Sequence, residues 1–461
     1  MNFGEFLVAM LPEHLLLAGI VAVVGLEIVS SRPRGALALS LAVVLAAALA
    51  AAWLAFDAYA ATPFPGQFSV SPADLVAKAV VLALALPALL LSRDDFVEPR
   101  FHALVLSSLY GVCLLLSADS FLTLFLGLEL MSLPVYALVV LAFRRPQSAE
   151  AALKYLVLGG AASATLLMGA SLLFGASGSL GYEAFRRALS GAEAMSSAGV
   201  TLVVVAFFLK AAVVPFHTWA PDAYEGASVP VTAYMATIIK AGALLAVVRL
   251  FGDAPIERPL VDLIAVLPLV SIVWGNLAAM RQQSFRRLIA YSSIAHAGYL
   301  FYALLGEGAG RFEAVVFYLI AYGLMNILAF AGLPRGEDDV ASDRLDSLKG
   351  LFARSPYAAL TIALAMLSLA GIPPLPGFIA KFLIFKNVME AGYTLYAVLG
   401  LVGSYVGIYF YLRVIQYMFM SAEPAPAGNG SARRLAVAAS LLCAVPAMLL
   451  SVFPGWVIRY L

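Results

Sequence analysis

Long apolar runs separated by short polar interruptions recur along the whole chain. A bilayer's hydrocarbon core is crossed by a helix of roughly 20 residues, and on that rule the runs predict about 14 spans. The first two lie near 11–30 and 36–56, followed by a loop at 57–72 that holds Pro63, Pro65 and Gly66. Spans three to six fall near 73–92, 101–117, 120–142 and 149–175, and a loop occupies 176–196. Spans seven and eight are near 198–222 and 229–251, and spans nine to eleven near 259–280, 285–305 and 312–333. A polar loop at 334–354 precedes span twelve, 355–390, which is too long for one straight crossing and is broken at the run GIPPLPG, 371–377. Span thirteen lies near 393–420, a Pro/Gly/Ser loop at 421–432, and the last span near 433–457.

Composition agrees with this pattern. Of 461 residues, 63% are hydrophobic and 12% charged; a soluble domain carries about 25% charged residues. The expected fold class is an all-α integral membrane protein. A net charge of +1 offers no basic surface for nucleic acid. Cys113 and Cys443 lie in apolar runs and fit buried small side chains better than a disulfide or a metal site. The N-terminus has no basic region and no small-residue cleavage site, so the first run is expected to remain as a helix.

Loops after odd-numbered spans hold Arg32, Arg34, Arg93, Arg100, Arg144, Arg145, Arg281, Arg286, Arg287, Arg335, Arg344, Lys349, Arg354, Arg433 and Arg434. Loops after even-numbered spans hold only Arg186, Arg187, Arg258, Arg311 and Lys386. The positive-inside rule then places both termini outside the cytoplasm, which fits an even number of spans.

Lysine is used differently from arginine. Twenty-one arginines cluster at loops and span ends, whereas of seven lysines only Lys349 is plainly in a loop. Arginine cannot release its proton in a protein, but a lysine taken out of water can. Lys78, Lys154 and Lys386 lie near span ends, where snorkelling or a structural ion pair accounts for them as well as a functional role does. Lys210, Lys240 and Lys381 lie deep or beside helix breaks, where a charge is expensive and usually functional. Glu129, midway along span five, has no local partner in sequence. Pairing it with an intramembrane lysine would resolve two desolvation problems, and separating the pair would drive the proton off the lysine. Sequence alone does not choose between Lys210, Lys154 and Lys240 as that partner.

The run 207–240, FFLKAAVVPFHTWAPDAYEGASVPVTAYMATIIK, gathers Lys210, His217, Asp222, Glu225 and Lys240 around Pro215, Pro221 and Pro230. Backbone groups freed by proline are tolerated at membrane depth only where protein or water takes them up. Span seven is therefore expected to break near Pro215 and span twelve at Pro373, Pro374 and Pro376. The lysines lie on opposite sides of the two breaks, which suits two five-span units of inverted topology with discontinuous helices seven and twelve. The chain then divides into N-terminal helices (1–100), a first repeat (101–252), a second repeat (257–420) and a last helix (433–457). His217 and His296 can relay protons or simply bond a neighbouring helix, and Tyr291, Ser292 and Ser293 could extend such a path.

These residues carry a resemblance. KAAVVPFHTWAPDAYEGASVPVTAY, YSSIAHAGY, GLELMSLPVYAL, ALKYLVLGG and GIPPLPGF resemble the proton-translocating, antiporter-like subunits of respiratory complex I, which are related to Mrp-type cation/proton antiporters. The match covers roughly residues 100 to 420, the stretch that holds most of the long apolar runs. WAPDAYEGA, a lysine at 381, and an end after the last span without a long lateral helix are most similar to the subunit N branch. The resemblance implies that Glu129 modulates Lys210 at the span-seven break, that Lys240 is the central lysine, and that Lys381 stands on the exit side. Lys154 and His217 match further relay positions. Ser228-Val229 and Leu375-Pro376 depart from the usual Pro-Thr and Thr-Ala without touching an ionisable group. The implied setting is a bacterial cytoplasmic (inner) membrane complex that oxidises NADH and reduces quinone in other subunits. NADH, FMN and iron–sulfur clusters are expected in those subunits. This chain has no GxGxxG after a strand and no cysteine cluster, so it is expected to hold no cofactor and no metal. Expected partners are the lipid bilayer, antiporter-like subunit M and small membrane subunits such as K. Two other readings are an antiporter subunit without redox partners and a scaffold whose polar path is a relic.

Overall fold

The structure is a computed structural model, and it describes residues 3–29, 35–93, 95–96, 98–141, 146–190, 193–257, 260–306, 308–334, 343–420 and 434–459. The helices are α1 (Phe3–Ala9), α2 (Leu11–Val29), α3 (Ala36–Phe56), α4 (Pro72–Leu90), α5 (Pro99–Leu116), α6 (Phe121–Val140), α7 (Pro146–Ser177), α8 (Tyr182–Ala188), α9 (Ala194–Ala211), α10 (Trp219–Gly226), α11 (Val229–Tyr234) and α12 (Lys240–Phe251). They continue as α13 (Leu260–Ala279), α14 (Phe285–Tyr302), α15 (Ala309–Ala331), α16 (Leu351–Arg354), α17 (Pro356–Ala370), α18 (Pro376–Glu390), α19 (Thr394–Met420), α20 (Arg434–Val452) and α21 (Pro454–Ile458). Among the described residues thirteen helices are long and apolar enough to cross a membrane. The expected span twelve is broken where the sequence reading put the break, into two helices of 15 residues, α17 and α18, interrupted at 371–375. Span seven ends at Ala211 and resumes as α10 at Trp219.

Four local features differ from the sequence reading. The loop at 57–72 contains an antiparallel hairpin, β1 (Ala61–Phe64) with β2 (Phe68–Val70), turning at Gly66 with φ +71°. The loop at 176–196 contains α8, including Arg186 and Arg187. Span eight is not one uniform helix: a π-helical turn, Met235–Ile239, separates α11 from α12. Arg311 lies in α15 and is buried rather than in a loop, donating to the Gly306 carbonyl at 3.1 and 2.8 Å. Arg32, Arg34, Arg144, Arg145, Arg258, Arg335, Arg433 and the loop at 421–432 lie outside the described residues.

The chain forms two compact units, Met1–Ala211 with Ile238–Asp262, and Ala212–Thr237 with Leu263–Leu461. In the first, Ser71 and Asp74 form a reciprocal capping box at the start of α4, which satisfies donors that a helix start otherwise leaves open. Asp74 also pairs with Arg249, the last basic residue of α12. Arg249 donates to the Ala118 carbonyl at 2.7 Å and to Ser69 Oγ at 2.7 Å, so one guanidinium ties α12 to the hairpin and to the start of α6. Gly111 of α5 lies against α6 so closely that an added Cβ would stand 2.3 Å from the Met131 nitrogen.

Lys78 of α4 is fully buried and pairs with fully buried Glu13 of α2 at 2.6 Å. The ammonium also lies over the Phe68 ring at 5.2 Å. Lys78 is thus buried and ion-paired rather than snorkelling.

In the second unit, α14 starts at an N-cap serine, Ser284, and Arg286 is almost wholly buried. Its Nε bonds Asp343 Oδ1 at 2.9 Å and its Nη1 donates to the Ala227 carbonyl at 2.5 Å. Burial pushes the Asp343 carboxyl above its usual range, and the Arg286 guanidinium opposes the shift. Arg287 reaches Asp222 at 2.8 Å and Glu225 at 3.0 Å. Two adjacent arginines thus fasten α10, the second half of span seven, to α14.

Breaking a buried pair leaves one uncompensated charge, whereas removing both partners does not. Lys78→Met alone is expected to destabilise by about 3–5 kcal/mol. Adding Glu13→Leu to it should recover most of that loss. Thermal unfolding of the purified protein in detergent measures both.

Candidate functional site

Glu129 and Lys210 meet. Lys210 is the penultimate residue of α9, where the helix macrodipole favours a cation. Its Nζ lies 3.4 Å from Glu129 Oε1 and 3.4 Å from Ser132 Oγ. Glu129 and Ser132 are three residues apart on α6 and so share a face. Ser163 of α7 donates to the same Glu129 oxygen and to the Gly159 carbonyl. Gly159 sets that approach: a Cβ there would collide with the Tyr136 hydroxyl of α6, 1.9 Å away. Lys210 is nearly buried, at 6% side-chain exposure, while Glu129 keeps 22%. The carboxylate therefore faces outward from a lysine walled by Leu128, Ala206 and Phe207. The ion pair is long for a charge-assisted contact, typically about 2.7–2.9 Å, so the lysine is shared between a carboxylate and a hydroxyl rather than locked.

Lys240 opens α12 directly after the π-helical turn. Such turns insert a residue into the helix and recur at functional sites. The central stretch of Val229–Phe251 is buried throughout, so Lys240 has no outer face along which to snorkel.

Lys381 and His296 share the second unit and are linked by Tyr299. The Lys381 ammonium donates to the carbonyls of Leu369 and Ala370, at 3.0 and 3.1 Å, and to Ser404 Oγ at 3.0 Å. It lies 5.0 Å over the Tyr299 ring. That ring stands edge-on to His296, with centroids 5.5 Å apart. His296 is bonded to the Tyr318 hydroxyl through Nδ1 at 2.7 Å and to the Tyr411 hydroxyl through Nε2 at 3.1 Å. Tyr411 is bonded onward to Ser292 at 2.6 Å, and Asn276 donates to the Tyr299 hydroxyl at 3.2 Å.

The remaining predicted residues have surroundings of their own. His217 lies in the span-seven break and accepts from Trp274 Nε1 at 3.1 Å. Lys154 is on an exposed face of α7 and pairs with Glu150, one turn earlier, at 2.8 Å. Lys386 likewise faces Glu390 at 3.6 Å. Sequence reasoning did not find Ser132, Ser163, Asn276, Tyr299, Tyr318, Ser404 or Tyr411. Tyr299 and Ser132 left a signal, each three residues after a predicted site residue, His296 and Glu129, and thus on its face; the others come from distant helices. The pairing of Asp222 and Glu225 with Arg287 was also not legible.

Interrupted helices whose breaks hold buried lysines define a polytopic membrane protein of the ion-translocating kind. A family model described as NADH:quinone oxidoreductase/Mrp antiporter, TM matches residues 118–407, and the chain belongs to this family. It is 38% identical over 419 residues to the NADH-quinone oxidoreductase subunit N of Pelobacter propionicus, covering 90% of each chain. It is 36% identical over 478 residues to that of Deinococcus radiodurans, covering 98% of this chain and 96% of the other. Among solved structures, a chain of respiratory complex I from Thermus thermophilus with bound aureothin superposes with TM-score 0.84 at 36% identity, covering 97% and 98%. A chain of the Mrp complex from Dietzia sp. shares the fold at TM-score 0.84 and 22% identity, covering 100% and 96%.

Gly371 has φ +86°, and a Cβ there would stand 3.2 Å from Lys381 Nζ. Gly371→Ala is expected to destabilise by about 1–2 kcal/mol, since the left-handed conformation alone disfavours other residues by that amount. Thermal unfolding checks the magnitude, and a structure of the variant would find the Lys381 ammonium displaced.

Proposed function

We propose that the chain is the antiporter-like, proton-translocating membrane subunit of a proton-pumping NADH:quinone oxidoreductase. The observation that carries the reading is the loose Glu129–Lys210 pair at the end of a broken helix. A lysine shared between a carboxylate and a hydroxyl changes its hold on a proton when the carboxylate moves or is neutralised. Movement of charge in a neighbouring subunit can thus be converted into proton transfer at Lys210. Lys240 then joins two half-paths, and His296 and Lys381, bridged by Tyr299, supply the exit side. His217, in the span-seven break, and Lys154 complete the set as further relay positions. Two inverted five-helix repeats, 101–252 and 257–420, organise these groups. In support, Lys210 stands in the last turn of the first half of one broken helix, and the Lys381 ammonium meets the C-terminal carbonyls of the first half of the other.

The redox work belongs to other subunits, which carry FMN, iron–sulfur clusters and the quinone site. The membrane neighbours are the antiporter-like subunit M and small subunits such as K. Both termini lie on the periplasmic side of a bacterial inner membrane.

The test is NADH-driven proton pumping in membrane vesicles with the complex assembled. Lys210→Ala and Lys240→Ala are each expected to lower pumping at least about tenfold, the loss that roughly 1.4 kcal/mol on a barrier produces. Unchanged stoichiometry in both variants would leave only a scaffold role. Pumping that needs a cation gradient and ignores NADH would assign the chain to an antiporter.

A further inference from the structure

We propose that the broken end of α17, together with Ser404 and Tyr299, is a neutral cage for a monovalent ammonium-type cation, which the chain fills with its own Lys381. The last carbonyls of a helix have no intrahelical partner. Two of them, on Leu369 and Ala370, point at one spot, and Ser404 Oγ of α19 supplies a third oxygen there. Three acceptors at 3.0–3.1 Å match the three N–H donors of an alkylammonium. The Tyr299 ring closes a further side with its negative face. Asn276 fixes that ring by donating to its hydroxyl.

Among the described residues Lys381 forms no ion pair. The cation is therefore held by oriented dipoles: a helix C-terminus, a hydroxyl and a π face. Discontinuous membrane helices hold small cations with the same kind of unwound carbonyl. The cage belongs to α17, α14 and α19, whereas the lysine arrives from α18. Site and cation are thus separate parts of the chain, and the site remains when the cation is cut away. A cavity of about 10 Å³, room for roughly one water, adjoins the cage at Leu369 and is lined also by His296, Tyr318, Tyr322, Ser368 and Gly377. The cage rests on geometry alone and does not depend on protons crossing here.

The test is equilibrium binding of radiolabelled methylammonium to the purified, assembled complex. Lys381→Ala is expected to bind about one equivalent more than the wild type, displaced by potassium and not by tetramethylammonium, which has no N–H to donate. Adding Ser404→Ala should weaken that binding about tenfold, the loss of one charge-assisted hydrogen bond. No excess binding in Lys381→Ala would overturn the cage, as would binding indifferent to Ser404. Lys381→Ser serves as a second small variant. If neither assembles even when produced with methylammonium present, the cage is also wrong, because a filled cage restores the ammonium the fold lacks.

Discussion

A cation inside this chain must be met by acceptors that the protein itself supplies, because apolar helices offer none. Born-type costs for a bare buried charge are large, and only oxygen atoms placed in advance offset them. The lysines are answered in different ways. Lys78 has a carboxylate at 2.6 Å and an aromatic face, in a closed apolar setting. Lys210 has a carboxylate and a hydroxyl, both at 3.4 Å. Lys381 has carbonyls and a hydroxyl instead of an anion. The first arrangement is a fixed link between α2 and α4. The second and third can be biased by small movements, because no single partner dominates.

Helix interruption is what makes the last arrangement available. An unbroken helix spends every interior carbonyl on its own backbone, so it has none to give a side chain. Ending α17 at Ala370 frees carbonyls in the interior of a bundle, and Gly371 turns the chain away so that an ammonium can reach them. The other interrupted helix, α9, ends at Ala211, one residue beyond Lys210, whose partners are side chains of α6. Freedom at these points is balanced by firm attachment nearby. Arg286 and Arg287 hold α10 and the following turn through Asp222, Glu225, Asp343 and the Ala227 carbonyl. The break is therefore a fixed discontinuity rather than a loose one, as a site that must keep its geometry requires.

Much of the architecture was legible in sequence because hydrocarbon imposes a length on every span. The spans, the polar loops and the break at 371–377 all follow from that rule and from proline. The hairpin at 61–70 was not legible. Its strands are three and four residues long, and its register depends on docking against residues 117–119 rather than on alternation within the strands. The π-helical turn before Lys240 was hidden for a related reason, since MATII carries no glycine or proline to mark it. Buried neighbours, not local propensity, decide that the helix widens there.

The sequence by itself determined the class of protein, the helices that cross the membrane, and which lysines and which glutamate stand where charge is costly. Those conclusions need only composition, run length and the position of proline. The tertiary structure alone decided the partners. Three lysines were open as the mate of Glu129, and only the packing of α6 and α9 on α7 brings Lys210 to it. Lys154 turned to Glu150 on its own helix, and Lys78 to Glu13 across two helices. Tyr299 became the link between His296 and Lys381 because α14 and α18 bring residues about eighty positions apart within reach of one ring. Spacing along a chain fixes which face a side chain occupies. What waits across from that face is set by how helices pack, and no single span contains that information.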